Sequence, residues 1–183
     1  GWLSNMGGAY KFEDGIIDLC ESALDDLDQT ELQVAHLKSE INPTSLWDSW
    51  TTLRSKNIFD YLNEMNVAIQ EELGLPIRWE YEKGRGVTSN DIEISLDQRS
   101  ECKNVVENLF MNFDFLVMPS AQVFPFDKEL KYPEEISGYN LNTYHRWMEV
   151  VTLSSLLGLP TISVPVGFNK NGLPMGMQII GKK

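Results

Sequence analysis

No apolar run in this chain approaches the roughly 20 residues that cross a bilayer, and no charged-then-apolar stretch opens it as a secretion signal would. A membrane partner is therefore not expected, and the cytoplasm is the expected compartment. Cysteine is scarce. Cys20 and Cys102 are the two present, far apart and each among apolar neighbours at helical spacing, which points to buried reduced thiols rather than a disulfide or a metal pair. Positive charge is also short: 15 basic against 27 acidic residues leave a net charge of -12, which repels phosphate backbones and excludes nucleic acid as a partner. The chain lacks a Gly-x-Ser-x-Gly elbow, a His-Glu-x-x-His helix and a Cys-x-x-Cys pair, so neither a cofactor nor a metal is expected. The run from Gly176 to Lys182 falls short of a phosphate loop because Lys183 stands where Ser or Thr is required. Gly84-Arg-Gly86 lacks a third glycine and reads as a turn.

What is there suits a globular α/β unit: 183 residues, 42% hydrophobic and 10% aromatic, are enough for a sizeable core. Trp2-Leu3 reads as the tail of a strand. Ile16, Leu19, Cys20, Ala23, Leu24 and Leu27 recur at helical intervals behind Glu13 and Asp14, which favour a helix N-terminus. Glu31 to Leu37 alternates as a half-buried strand. Pro43 opens a helical region expected to run through Trp47, Trp50, Leu53, Ile58, Tyr61, Leu62 and Ile69 and to stop at Gly74 before Pro76, a helical insertion or lid over 43–73. A further helix is expected over 88–112, with Thr88 or Ser89 as its cap. Phe113 to Met118 reads as a short buried strand ending at Pro119, the helix-then-strand rhythm of a sheet covered by helices. The loop from Ser120 to Asn142 is long for a compact domain and is expected to be functional. Thr143 to Leu157 reads as one helix closed by Gly158 and Pro160. Thr161 to Val164 and Met175 to Ile180 read as paired strands turning at Asn171-Gly172.

Single residues with reactive side chains have structural readings that weigh more. His145, with no nucleophile positioned beside it, reads as a surface or packing histidine. Ser154 and Ser155 stand in an apolar helix rather than a glycine-rich loop that presents N–H groups to an oxyanion, so packing is the better account. Trp47 and Trp50 lie three apart on one helical face, which serves a core or domain contact. Asp25, Asp26 and Asp28 read as a solvated helix end rather than a metal site.

Four stretches say more. Asp114-Phe-Leu-Val-Met-Pro-Ser120, Thr143-Tyr-His-Arg-Trp-Met-Glu149, Gly158-Leu-Pro-Thr-Ile-Ser-Val-Pro-Val-Gly-Phe168 and Gly172-Leu-Pro-Met-Gly-Met-Gln-Ile-Ile-Gly181 closely resemble, in order and spacing, the C-terminal segments of amidase-signature enzymes. Gly1-Trp-Leu-Ser-Asn-Met-Gly-Gly8 resembles the strand and loop that follow the signature region. The resemblance covers about half the chain and is thin over 30–87. It implies the C-terminal part of a mixed β-sheet covered by helices, within one amidase-signature domain spanning 1–183 and continuing upstream.

The resemblance also implies the chemistry. In that family a lysine activates a nucleophilic serine through a second serine held after a cis peptide bond, and backbone amides stabilise the oxyanion. All of these lie upstream of the segment that resembles Gly1, so no catalytic residue is assigned here and the segment alone is expected to be inactive. Its expected part is sheet strands and pocket wall, with Gln122, Tyr144 and Trp147 as substrate-binding candidates near the strand ends, where ligand clefts form. Relatives often carry Asn where Ser155 stands and Thr where Ser120 stands. The expected substrate is a small-molecule amide and the expected partner is the upstream half of the same protein, with a homodimer left open. The alternatives are a non-catalytic binding or scaffold domain and the glutamine-hydrolysing component of a tRNA-dependent amidotransferase, from which the 144–149 stretch differs in resembling stand-alone amidases.

Overall fold

The computed structural model describes residues 1–38, 40–65 and 73–183. Its sheet is built from three strands, β1 (Phe115–Pro119), β4 (Thr161–Phe168) and β5 (Pro174–Gly181), in the order β1-β5-β4. Both pairings are antiparallel, with Leu116 opposite Ile180 and Ile162 opposite Ile179. Trp2 extends the sheet beyond β1 by parallel bridges to Val117 on one side and His36 on the other, so the sheet is mixed, as expected. Trp2 thus sits where a strand tail was read. The alternation over 31–37 yields only that single bridge at His36, and Leu32 is exposed. Its backbone bonds there are both to Trp2, from Trp2 N to Ala35 O and from Leu37 N to Trp2 O.

Helices cover both faces. Helix α1, Ile16–Asp25, turns Ile16, Cys20 and Leu24 onto Trp2, Met175 and Met177. On the other face Leu116, Met118 and Ile180 meet Leu46, Trp47 and Trp50 of α2 (Pro43–Asn63), Val106 of α4 (Ser89–Leu109) and Leu153 of α5 (Thr152–Leu157). Pro43 and Thr88 act as read: Pro43 opens α2, where Asn42, a cap the sequence reading passed over, accepts from the N–H groups of Thr44 and Ser45, and Thr88, rather than Ser89, closes a capping box with Asp91. Cys20 and Cys102 are buried and unpaired, and burial raises their thiols to about 12 and about 11.

Several boundaries differ from expectation. Helix α2 ends at Asn63 rather than near residue 73, and Ile69 lies outside the described residues. Pro76 does not mark a stop but opens α3, Leu75–Arg85, because proline is at home in a helix's first turn. Gly84 and Arg85 therefore belong to a helix, not a turn. The 120–142 loop contains a short hairpin, β2 (Glu135–Ile136) with β3 (Tyr139–Asn140), whose Ile136 is buried. Strand β4 runs on to Phe168 through a bulge between Pro165 and Gly167, which an edge strand tolerates.

Helices α2 and α3 approach closely at Gly84, where an added Cβ would lie 2.1 Å from Ser55 O and 2.7 Å from Phe59 Cβ. Gly84→Ala is expected to force the pair apart and to cost roughly 1–3 kcal/mol, read as a lowered urea midpoint at unchanged slope.

Candidate functional site

The segment 143–157 was expected to be one helix and is not. Residues 146–151 form a 3-10 helix broken at Met148 (φ -111°, ψ 19°), and the α-helix begins only at Thr152. The cause lies in two buried glutamines. Gln122 accepts from Val150 N at 3.0 Å and donates to Lys11 O at 2.9 Å. Gln178 donates to Val150 O and to Pro119 O, each at 3.0 Å. Gln122 therefore diverts the one N–H that a regular α-helix would send to Arg146 O, and Gln178 holds the carbonyl of the same residue.

This clamp places Trp147 on the wall of a groove of about 500 Å³ at the end of β1, where Ser120, Phe126, Ser163, Pro165 and Met175 also face it. Trp147 meets Phe126 edge-on, with ring centroids 5.4 Å apart. Ser120 follows β1 directly and its N–H donates to Gly176 O at 2.9 Å. A Cβ at Gly176 would lie 2.9 Å from Ser120 Oγ and 3.1 Å from Ser163 Oγ. The two hydroxyls thus converge on the space that glycine leaves open. A larger depression, about 810 Å³, shares the Phe124–Phe126 wall but is rimmed by Glu13, Asp14, Asp18 and Lys170, and no predicted site residue lines it.

Of the three predicted substrate residues, Trp147 lines the groove, while Gln122 does not: it is 1% exposed, with its amide engaged by backbone on both sides. Tyr144 falls elsewhere. It precedes the 3-10 helix, so the helical spacing that would have put it beside Trp147 is absent, and its hydroxyl donates to Glu80 Oε1 at 2.9 Å. Glu80, fully buried on α3, also accepts from Ser55 Oγ and from Arg54 Nε, the latter at 2.8 Å. His145 stacks on Tyr144 and is enclosed by Trp47, Trp50 and Trp79, with neither ring nitrogen hydrogen-bonded among the described residues. Burial lowers its pKa to about 4 against the opposing pull of Glu80, whose Oε1 is 3.7 Å from Nε2. His145 is a packing histidine. Ser155 accepts from Trp50 Nε1 at 3.1 Å and Ser154 donates to Val151 O, so neither serine is paired with a base. Asp25 and Asp26 are exposed, the side chain of Asp28 lies outside the described ones, and no metal-holding cluster occurs among the described residues.

Sequence reasoning missed Phe126, Ser163 and Gly176 in the groove, and Glu80 in the cluster with Arg54 and Tyr144. A glycine inside a strand at 176 was the available signal of close approach. Nothing in the sequence links Glu80 to Arg54 or Tyr144.

A mixed sheet with helices on both faces and a groove at one strand end is an α/β scaffold, and comparison makes the assignment. The chain belongs to the Amidase family, whose model matches residues 11–183. The glutamyl-tRNA(Gln) amidotransferase A-subunit of Nostoc sp. (strain PCC 7120 / SAG 25.82 / UTEX 2576) is 42% identical over 85 residues, which are 46% of this chain and 16% of that protein. Its counterpart of the same name from Alkaliphilus metalliredigens (strain QYMF) is 31% identical over 87 residues, 48% of this chain and 16% of that one. A bacterial aryl acylamidase of the amidase signature family superposes with a TM-score of 0.82 at 20% identity, over 100% of this chain and 39% of that one. For 6-aminohexanoate cyclic dimer hydrolase the TM-score is 0.72 at 16% identity, over 98% of this chain and 40% of that one. At such identities these structures share the fold. The chain spans well under two thirds of the relatives it matches.

Two predictions concern this region. Gln122→Leu strands Val150 N–H and Lys11 C=O, which is expected to cost roughly 1–3 kcal/mol in urea unfolding. The second is pH dependence. His145, depressed to about 4 from 6.5, contributes stability that is complete above pH 6.5 and lost as pH falls through about 4. Glu149, raised from 4.5 to about 7 by burial that outweighs Arg146 3.1 Å away, contributes stability that is complete below pH 4.5 and lost as pH rises through about 7. The slopes oppose each other where they overlap, so single variants separate them. The stability of Glu149→Gln relative to the parent is expected to rise steadily between about pH 5 and about pH 7, and a flat difference would refute the assignment.

Proposed function

We propose that this chain is the C-terminal part of a single amidase-signature domain that hydrolyses a carboxamide, water and amide giving carboxylic acid and ammonia. The observation that carries the reading is the groove itself: an aromatic wall, two convergent hydroxyls and a glycine that keeps them accessible, in a chain that belongs to the Amidase family. In this reading Trp147 contacts substrate, Gln122 acts on its segment through Val150 N–H, and Tyr144 anchors the residues before that segment to Glu80. The serine, second serine and lysine that the resemblance implies are supplied upstream, with glycine-rich amides for the oxyanion. The free side of β4, with Ile162 60% and Phe168 68% exposed, is the surface on which that upstream half packs. Two buried, unpaired thiols are in keeping with a cytoplasmic setting.

The second reading is the A-subunit of a tRNA-dependent amidotransferase, favoured by the 42% identity to the Nostoc protein. Ammonia release from a panel of aliphatic and aromatic amides and L-glutamine tests both. The chain fused to its own upstream sequence is expected to turn over an amide and the chain alone to be silent. Turnover by the chain alone, or by neither, would overturn the proposal.

A further inference from the structure

Resting on the amidase reading, we infer that the Trp147 groove takes an uncharged aromatic or bulky aliphatic group of the amide substrate, so that the enzyme selects neutral hydrophobic amides over glutamine. The first observation is electrostatic. Charged residues make up 23% of the sequence, and the neighbouring depression carries Glu13, Asp14, Asp18 and Lys170. The groove's wall contains no ionisable side chain: it is Ser, Ala, Val, Phe, Pro, Trp, Met and Gly. A glutamine ligand brings an α-ammonium and an α-carboxylate, and burying either without a partner carries a large desolvation cost. Such a ligand would need counter-charges, and the described residues on this chain's side of the groove supply none.

The second observation is shape and chemistry. Trp147 and Phe126 meet edge to face, leaving the indole as one wall, with Pro165 and Met175 among the other apolar surfaces. Aromatic faces, proline rings and a thioether accept a flat apolar group well. Beside the indole N–H, the side-chain hydrogen-bonding groups lining this surface are the hydroxyls of Ser120 and Ser163, which converge at Gly176. Two hydroxyls suit a neutral amide, since each can donate to its oxygen or accept from its nitrogen. A site with a few convergent polar groups in an apolar wall is the usual form of a small-molecule pocket.

The third is rigidity. Trp147 is carried by the segment whose Val150 backbone is held by Gln122 and Gln178, so its indole is preorganised rather than recruited by the ligand. The Ser163 side of the groove rests on β4, opposite Gln178 of β5.

The test uses the full-length protein, this chain with its own upstream sequence, and two independent readouts: ammonia release, and saturation-transfer NMR of benzamide and of L-glutamine. The expected result is a kcat/KM for benzamide at least about tenfold above that for L-glutamine, with benzamide saturated by the protein. Trp147→Ala is expected to lower the benzamide-to-acetamide ratio of kcat/KM at least about tenfold and to abolish benzamide saturation, while Trp147→Phe recovers most of both. That recovery separates a lost contact from a misfolded variant. Glutamine preferred over benzamide, or a benzamide-to-acetamide ratio indifferent to Trp147→Ala, overturns the inference while leaving the amidase reading intact. Benzamide saturation that depends on Trp147 without turnover of any amide overturns the amidase reading and leaves the groove's chemistry standing; no saturation overturns the groove.

Discussion

The backbone of Val150 is held from both sides by buried side-chain amides, and much of the functional region depends on it. Gln122 comes from the loop after β1 and Gln178 from the middle of β5, so three separate parts of the chain meet at one backbone unit. Gln122 also holds Lys11 O and Gln178 holds Pro119 O, which ties the loop before α1 and the end of β1 to the same point. A buried amide is costly when unpaired and steadying when satisfied. Here each satisfied amide adds an internal anchor to the segments it joins, beside bonds such as Glu13 N to Gln122 O and Phe124 N to Glu13 Oε2.

The clamp separates two environments that lie close in sequence. On one side Tyr144 and His145 face the buried Glu80 carboxylate and a shell of tryptophans, a region of charge pairing and packing. On the other, Trp147 faces a wall without charge. The division falls where the 3-10 helix begins, at His145 (φ -114°, ψ 2°), rather than following composition. It gives a strongly acidic chain one surface on which a neutral ligand meets no ionisable side chain.

How much of this was legible in the sequence follows from which interactions are local. Thr88 and Asp91, Asn42 and Pro43, and the Asn171-Gly172 turn act within a few residues, and they declare their elements openly. Apolar periodicity likewise placed α1 and α4 on the core. The break within 146–151 was not legible, because it needs Gln122 and Gln178, both distant from it in the chain. The same holds for Glu80, whose partners Arg54 and Tyr144 lie on other elements. Pro76 was misread for a different reason: proline ends one helix and begins another with equal ease, and only the following residues decide. Trp147 was picked out by its residue type and place at a strand end and lines the groove, whereas Ser163 enters it through a strand register that no local pattern encodes.

Pro165 in β4 has a consequence for how this surface meets another strand. It has no N–H to offer, and the bulge between Pro165 and Gly167 turns the strand out of line. A second copy approaching this open side finds an unbroken run only from Thr161 to Val164, too short for a lasting cross-strand register. The strand stays open to a neighbour shaped to follow the bend and resists stacking on its own kind.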